Sequence, residues 1–454
     1  MNAGAAQVDV AIVGAGLAGL SAAWTLGKKG LTSLVVLEAM DRVGGRTLVH
    51  SISPDGYVEQ GGTWAGPTQR ALLALAKELG ITTKNGKPEG RTFYGYRGQW
   101  SETGGDAYSS LEQQDFAAAM ERFGALTETI VTTAPWSTPD AIALDHKSAG
   151  QWIRENTKTD GGRALFEGCV RKMQGGAPDD VSLLWLLHFV ASATFTDLLD
   201  TAEDYRFVGG SQAISLEIAR RLKGRVRTQS RVRGITQNDD GTVSLDGDGF
   251  APVIARRVVV ASMPATLRAI NFDPPLPTGQ QDMIASWTPM SWVKFNAVYD
   301  EPFWRGQIIG SQFLCLDRLV EAFDISPADE SFGEIVGFLL PDCPGRLRGN
   351  ATAFAKSFLE EVYGPGASTP RSFAIKDWNT ETLVGGCVSS LKPGVLTRIG
   401  PALIEPVGSI HFAGTERSSI WLNYMEGAVQ SGQSVASNVL TELSLTDPQS
   451  TAVL

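Results

Sequence analysis

The hydrophobic pattern is densest near the N-terminus, where apolar runs alternate with a glycine-broken segment of helical spacing. Val8–Val13 (VDVAIV) predicts a short buried strand, Gly14–Gly19 (GAGLAG) a turn into a helix that reaches Gly30, and Leu31–Ala39 (LTSLVVLEA) a second strand. Together they form one βαβ unit. Farther on, Arg221–Gly247 alternates as β-hairpins do, with a turn at Asp240 and Gly241, and Ala255–Pro264 (ARRVVVASMP) reads as a buried strand closed by its proline. Ser409–Glu416 repeats the strand-and-turn pattern, and Asn423–Leu443 has helical character. Between these stretches, Gln113–Val131 and Ser182–Ala193 carry apolar faces at helical spacing, and Ser291–Trp304 reads as a strand.

The fold class expected from this order is α/β of mixed α+β content, with a Rossmann-type domain interleaved with a second domain of mixed sheet and helices. Residues 1–80, 205–285 and 390–445 are assigned to the first, 81–204 and 286–389 to the second, and 446–454 to a C-terminal tail. A length of 454 residues suits two or three domains. Hydrophobic residues at 43% and charged residues at 19% exclude a disordered or disulfide-stapled chain. With 39 Lys and Arg against 49 Asp and Glu, the formal charge of -10 and the lack of a basic block argue against nucleic acid as a partner. The four cysteines, at 169, 315, 343 and 387, show neither a CxxC pair nor zinc spacing, so no metal is expected and a reducing compartment is the simplest reading. The first apolar run is broken by glycines and has no basic residue ahead of it. A soluble, cytoplasmic protein without a membrane anchor is therefore expected.

Gly14, Gly16 and Gly19 make GxGxxG in the context that gives the pattern meaning: after a strand and opening a helix. The first permits the turn, the second lets backbone approach a pyrophosphate, and the third lets helix and strand pack closely. Glu38 ends the second strand about 20 residues on, where a carboxylate accepts from both ribose hydroxyls and repels a 2′-phosphate. A dinucleotide site follows.

Longer motifs narrow the dinucleotide. Asp41–Thr47 (DRVGGRT), Gly61–Gln69 (GGTWAGPTQ), Phe207–Gln212 (FVGGSQ), Phe412–Glu416 (FAGTE) and Tyr424–Gly432 (YMEGAVQSG) together resemble the flavin-containing amine oxidase family, and within it the monoamine oxidases most. The resemblance runs from about Val8 to Leu440. It implies FAD and a nucleotide domain like that of glutathione reductase. Gly44 and Gly45 would pass close to the diphosphate, and Arg46 offers a donor fork to phosphate or flavin oxygens, a salt bridge to a nearby carboxylate being its plainer role. Gly61 and Gly62, followed by Thr63 and Trp64, would clear space beside the isoalloxazine. Val232 would present backbone to the adenine end, a buried strand valine being an equally good reading. Gly414, Thr415 and Glu416 would lie near the ribityl chain, with Trp378 and Met425 completing the cofactor site.

Lys294, in SWVKFNAVYDEPFWR, matches the family lysine that holds a water against flavin N5. A lysine in an apolar strand otherwise requires a place on the solvent face of the sheet. Cys387, in LVGGCVSS, matches the cysteine joined to the flavin 8α-methyl in the monoamine oxidases, so the FAD is expected either as an 8α-S-cysteinyl adduct or noncovalently bound. The other three cysteines read as core.

The implied reaction takes an amine, O2 and water to aldehyde, ammonia and H2O2 by hydride transfer to flavin N5, so the hard chemistry belongs to the cofactor. The protein supplies an apolar slot that favours the neutral amine. In the monoamine oxidases two rings flank that amine. Tyr424 matches one, but Val388 stands where the other is aromatic, so the slot should be wider unless Trp378 or Trp421 leans in. Long-chain or bulky aliphatic primary amines are the expected substrates. Leu314 and Phe338 align loosely with pocket-lining positions, ordinary core being the plainer reading. The acidic stretch Thr196–Asp204 (TDLLDTAED) either draws cationic amines to an entrance or is a solvated face.

Other readings remain open. A polyamine oxidase needs carboxylates along its tunnel, for which only Asp197–Asp204 volunteers, and an L-amino-acid oxidase needs a cationic clamp that no arginine visibly supplies. A flavin-bearing binding protein fits less well, because Lys294 and Tyr424 are kept together. Members of the family are often dimers, so a homodimer is the expected assembly, although no interface can be read from one chain.

Overall fold

Val10–Val13 are almost wholly shielded from solvent, and that burial on both faces makes the first strand central rather than peripheral. The computed structural model describes residues 5–446 except 54–55, 87–89, 103–107, 195–196, 291, 306–309, 316–317 and 348. The expected tail from 447 onward, Thr196 of the acidic stretch and Ser291 of the expected strand lie outside the described residues.

Strand β1 (Ala6–Val13) runs into helix α1 (Leu17–Lys28) and back to strand β2 (Leu34–Leu37), which pairs parallel with β1 from Val10↔Leu34 to Val13↔Leu37. The turn between them depends on two glycines. Gly14 has φ +103 and a Cβ there would lie 2.7 Å from the Ala261 carbonyl oxygen, while one on Gly19 would lie 2.0 Å from the Gly14 carbonyl oxygen. No side chain fits at either place. The sheet continues through Val253–Val260, parallel to β1, then Val243–Asp248, Arg231–Gln237 and Asn271–Asp273, with Ile410–Phe412 also pairing with Val253–Val260. Buried aliphatic side chains on each side of it, each contributing about 1.5–3 kcal/mol on burial, form the cores that α1 and the long helix Met425–Thr446 close on one face.

The expected hairpins are corrected in one strand. Arg231–Gln237 and Val243–Asp248 do form the hairpin around Asp240 and Gly241, but Val226–Arg227 is not part of it. It lies parallel to β2 at the opposite edge of the sheet, with Val226 beside Val36. Alternation fixes which side chains face inward and says nothing of which strand is the neighbour.

A second sheet of seven strands has the order Ser372–Asp377, Val293–Tyr299, Gly333–Leu339, Val320–Asp324, Gly310–Cys315, Arg91–Tyr96 and Gln99–Glu102. The strand expected to reach Trp304 stops at Tyr299, ahead of Pro302, which has no N–H to donate. Helices Ser110–Thr127, Asp160–Gln174 and Leu183–Ala191 gather around a third core. The first begins three residues earlier than expected because Ser109 and Glu112 close a reciprocal cap, the Ser109 N–H donating to Glu112 Oε2 at 2.8 Å. Among the described residues no helix is long and apolar enough to cross a membrane.

Candidate active site

One cavity of about 1090 Å³ opens where the carboxyl ends of β1 and β2 meet the second sheet. Every residue expected at the site lines it except Gly19, whose work is the packing of α1 against the turn.

At one end lie Gly14, Gly16, Glu38 and Val232. Glu38 is buried, its Oε2 accepting from the Ala15 N–H at 2.6 Å and its Oε1 from the Met40 N–H at 2.9 Å. Burial raises its carboxyl pKa, and the two backbone donors and Arg42 work against that rise. Each oxygen keeps acceptor capacity for a hydroxyl. Gly44 and Gly45 come next, with Gly16 and Gly44 bridged backbone to backbone, so that the two glycine turns meet beside the N-terminus of α1. That pairing leaves open backbone where a diphosphate needs it.

Arg46 takes the second of its two expected roles, a salt bridge to a carboxylate, rather than that of a free fork. Its Nη1 sits 2.6 Å from Glu416 Oε1 and also donates to the Cys387 carbonyl at 3.2 Å, joining chain segments 370 residues apart. The other Glu416 oxygen, Oε2, is buried without a hydrogen-bond partner among the described residues. An orphaned acceptor beside Gly414 and Thr415 on the cavity wall is what a polyol hydroxyl would satisfy. The fit to FAD therefore holds at three points: a ribose acceptor at Glu38, open backbone at the paired glycine turns, and this unsatisfied carboxylate oxygen.

Gly61, Gly62, Thr63, Trp64, Met425 and Trp378 gather farther along. Trp378 is buried with its indole N–H on the Gln60 carbonyl at 2.9 Å. Lys294 is 3% exposed, which removes a solvent-face position; its Nζ donates to the Gly61 carbonyl at 2.9 Å and to Thr63 Oγ1 at 2.5 Å. The ammonium also stands 5.3 Å from the Trp64 ring centre and 5.5 Å from that of Phe338. Burial draws its pKa down to about 8, with Glu59 pulling it upward.

Cys387 follows Gly385 and Gly386, both at positive φ, and its N–H is fixed to the Met290 carbonyl at 2.9 Å. Burial pushes the thiol pKa up, against the cations of Arg46 and Lys294. Val388 is buried in a two-stranded ribbon against Met290, its Cγ2 only 3.2 Å from where a Cβ on Gly175 would stand. Tyr424 is braced by Phe189, stacked at 6.0 Å, and by Trp421, edge-on at 4.8 Å. Trp421 thus supports the Tyr424 ring and is not among the cavity-lining residues. Leu314 and Phe338 do line the wall, as do Cys169 and Cys315, so of the three cysteines read as core only Cys343 is away from it.

Several lining residues carry no signal in the sequence. Lys172, on the helix Asp160–Gln174, stands 3.4 Å from Glu321 on the second sheet, and Phe189 and Trp292 add rings. In the acidic stretch, Asp200 and Glu203 face the cavity rather than forming only a solvated surface.

Comparison with known proteins fits this geometry. A family model described as flavin containing amine oxidoreductase matches residues 17–440. The flavin-containing amine oxidase of Oncorhynchus mykiss is 32% identical over 456 residues, covering 96% of this chain and 86% of that one. Human flavin-containing amine oxidase B is 31% identical with the same coverage. Among solved structures, putrescine oxidase bound to putrescine superposes with a TM-score of 0.90 at 31% identity over 96% of this chain and 99% of that one. Cyclohexylamine oxidase from Brevibacterium oxydans IH-35A gives 0.87 at 30% identity, with the same coverage.

Proposed function

The chain belongs to the flavin-containing amine oxidoreductases, and from that premise we propose that it acts on primary amines whose tails are long or bulky and aliphatic. It is an enzyme that oxidises amines and its cofactor is FAD. When bound, FAD supplies the two-electron acceptor. On this reading O2 and water are consumed, and aldehyde, ammonia and H2O2 are formed.

The protein's part is to orient the amine and keep it neutral. Tyr424, rigid against Phe189 and Trp421, gives the amine one flat wall, and the low polarity of that wall favours the uncharged form, the only one with a lone pair to assist C–H cleavage. Lys294 holds its ammonium on the Gly61 carbonyl and Thr63 hydroxyl at the same end of the cavity. Glu38, the glycine turns and Glu416 would hold the cofactor, and Cys387 would join it covalently.

The observation that carries the substrate reading is Val388, an aliphatic residue buried on the cavity wall and packed back toward Gly175. It leaves the slot open where a ring would close it. In Val388→Tyr the added ring has no room on the Gly175 side and must enter the cavity. Relative kcat/KM for long or branched alkylamines over small arylalkylamines should fall about tenfold. Unchanged ratios would overturn the reading.

A diamine or polyamine reading has one observation in its favour, the carboxylates of Asp200, Glu203 and Glu321 on the cavity wall. An amino-acid oxidase reading finds less support, because Arg46 is taken by Glu416 and Lys172 by Glu321.

A further inference from the structure

The substrate wall of the second sheet is a single row of cross-strand partners. Lys294 lies beside Phe338, Phe338 beside Glu321, Glu321 beside Leu314 and Leu314 beside Tyr94. All five line the cavity. Neighbouring strands are about 4.8 Å apart, so Glu321, two strands from Lys294, lies roughly 10 Å along the wall from it. That is the span of a medium-length alkyl chain whose amine sits at the Lys294 end.

Glu321 is buried in this row, and an ammonium already stands against it. Lys172 Nζ is 3.4 Å from Glu321 Oε2 and 5.4 Å from the centre of the Phe323 ring, which shares a strand face with Glu321. Glu203, near the end of the acidic stretch, also acts on Lys172 from the cavity wall. Burial works against the Lys172 charge, yet Glu321 and Glu203 together hold its pKa above the ordinary lysine value. Burial raises the carboxyl of Glu321, and Lys172 opposes that rise. Two carboxylates and an aromatic face around one cation is a receptor for ammonium, and here the chain's own lysine fills it.

We propose that Lys172 is a specificity-determining residue: its ammonium occupies the place on the cavity wall that a second cationic end of the substrate would take, so the enzyme selects amines with uncharged tails. The inference rests on the aliphatic-amine reading above and adds the residue that enforces it. A second ammonium arriving beside Lys172 meets like charge and finds Glu321 engaged, whereas an alkyl tail passes along Phe338 and Leu314 without cost.

The test is steady-state kinetics of the FAD-loaded enzyme at about pH 8, comparing putrescine, cadaverine and longer α,ω-diaminoalkanes with monoalkylamines of matched length. In Lys172→Met, which keeps the apolar stem and removes the charge, the diamine-to-monoamine ratio of kcat/KM should rise about tenfold or more over the parent. Lys172→Arg should keep the parent ratio, and Lys172→Met combined with Glu321→Gln should lose the gain. Binding of the diamines followed anaerobically by the flavin difference spectrum should tighten in parallel. A ratio unchanged in Lys172→Met, with FAD content and monoamine turnover retained, overturns the inference. The parent's own profile tests the other reading separately, since a parent that prefers diamines sinks the aliphatic-tail assignment whatever Lys172→Met does.

Discussion

Lys294→Met is expected to yield a folded, FAD-containing protein whose amine oxidation is slower by at least about a hundredfold. Methionine matches the length of the lysine stem and suits the apolar surroundings of Trp64 and Phe338, so packing is kept. What is lost is a cation shielded from solvent, where a preorganised charge acts far more strongly than in water. Dioxygen gains negative charge as it is reduced, and Lys294 is the buried ammonium hydrogen-bonded among the Gly61 and Thr63 groups at that end. The pH dependence follows from the same environment. Because burial draws the Lys294 pKa down to about 8, the side chain is cationic below that pH and loses its charge as pH rises through it. The parent's kcat/KM for O2 should therefore fall above about pH 8, and the corresponding limb should be flat in the methionine variant. Stopped-flow reoxidation across pH checks both. A variant reoxidised within about threefold of the parent would remove Lys294 from the chemistry.

The sequence was most informative where structure is local. In the βαβ unit, strand, glycine turn, helix and Glu38 follow one another within 40 residues, and each has a steric or electrostatic reason that needs no partner elsewhere. Lys294 was legible for a different reason: a charge in an apolar strand demands an explanation, and here the explanation is burial against Gly61 and Thr63. Features made by distant segments were not legible. Nothing in the spacing of Arg46 and Glu416, 370 residues apart, announces their ion pair, so a salt bridge is a legible role for Arg46 while its partner is not. Nor does anything connect Lys172 with Glu321, which meet only where a side chain of the helix Asp160–Gln174 reaches a strand of the second sheet. Strand identity and strand order separate in the same way. Val226–Arg227 alternates as part of a hairpin would, yet its partner is β2 at the far edge. Trp421 illustrates the limit for rings, since a tryptophan near Tyr424 in sequence turned out to brace that ring from behind rather than close the slot.

Cys387→Ala is expected to convert tightly retained flavin into flavin that denaturation releases. Acid precipitation of the parent should leave the yellow colour in the protein pellet, and intact-protein mass should exceed that of the chain by one FAD; in the alanine variant the colour should stay in solution. The geometry supports a cysteine presented for this bond. Its N–H is pinned by the Met290 carbonyl, its carbonyl is held by Arg46, and two glycines at positive φ set the backbone that brings it to the cavity wall. The thiol is free rather than bridged. Joining Sγ to the 8α-carbon would replace one S–H and one C–H bond by one S–C bond, a two-electron oxidation whose electrons and protons would end as H2O2 on dioxygen, the oxidant of the proposed reaction. Burial raises the Cys387 pKa, so the thiol is protonated at neutral pH and attachment should be slow, accelerating as pH rises. The cations of Arg46 and Lys294 limit that rise, which gives a second check: attachment in Lys294→Met should be slower than in the parent at equal pH. Turnover in Cys387→Ala should stay within about tenfold of the parent, because Glu38, the paired glycine turns and Glu416 would still hold FAD without the thioether. Release of all flavin from the acid-treated parent would show that Cys387 only lines the cavity.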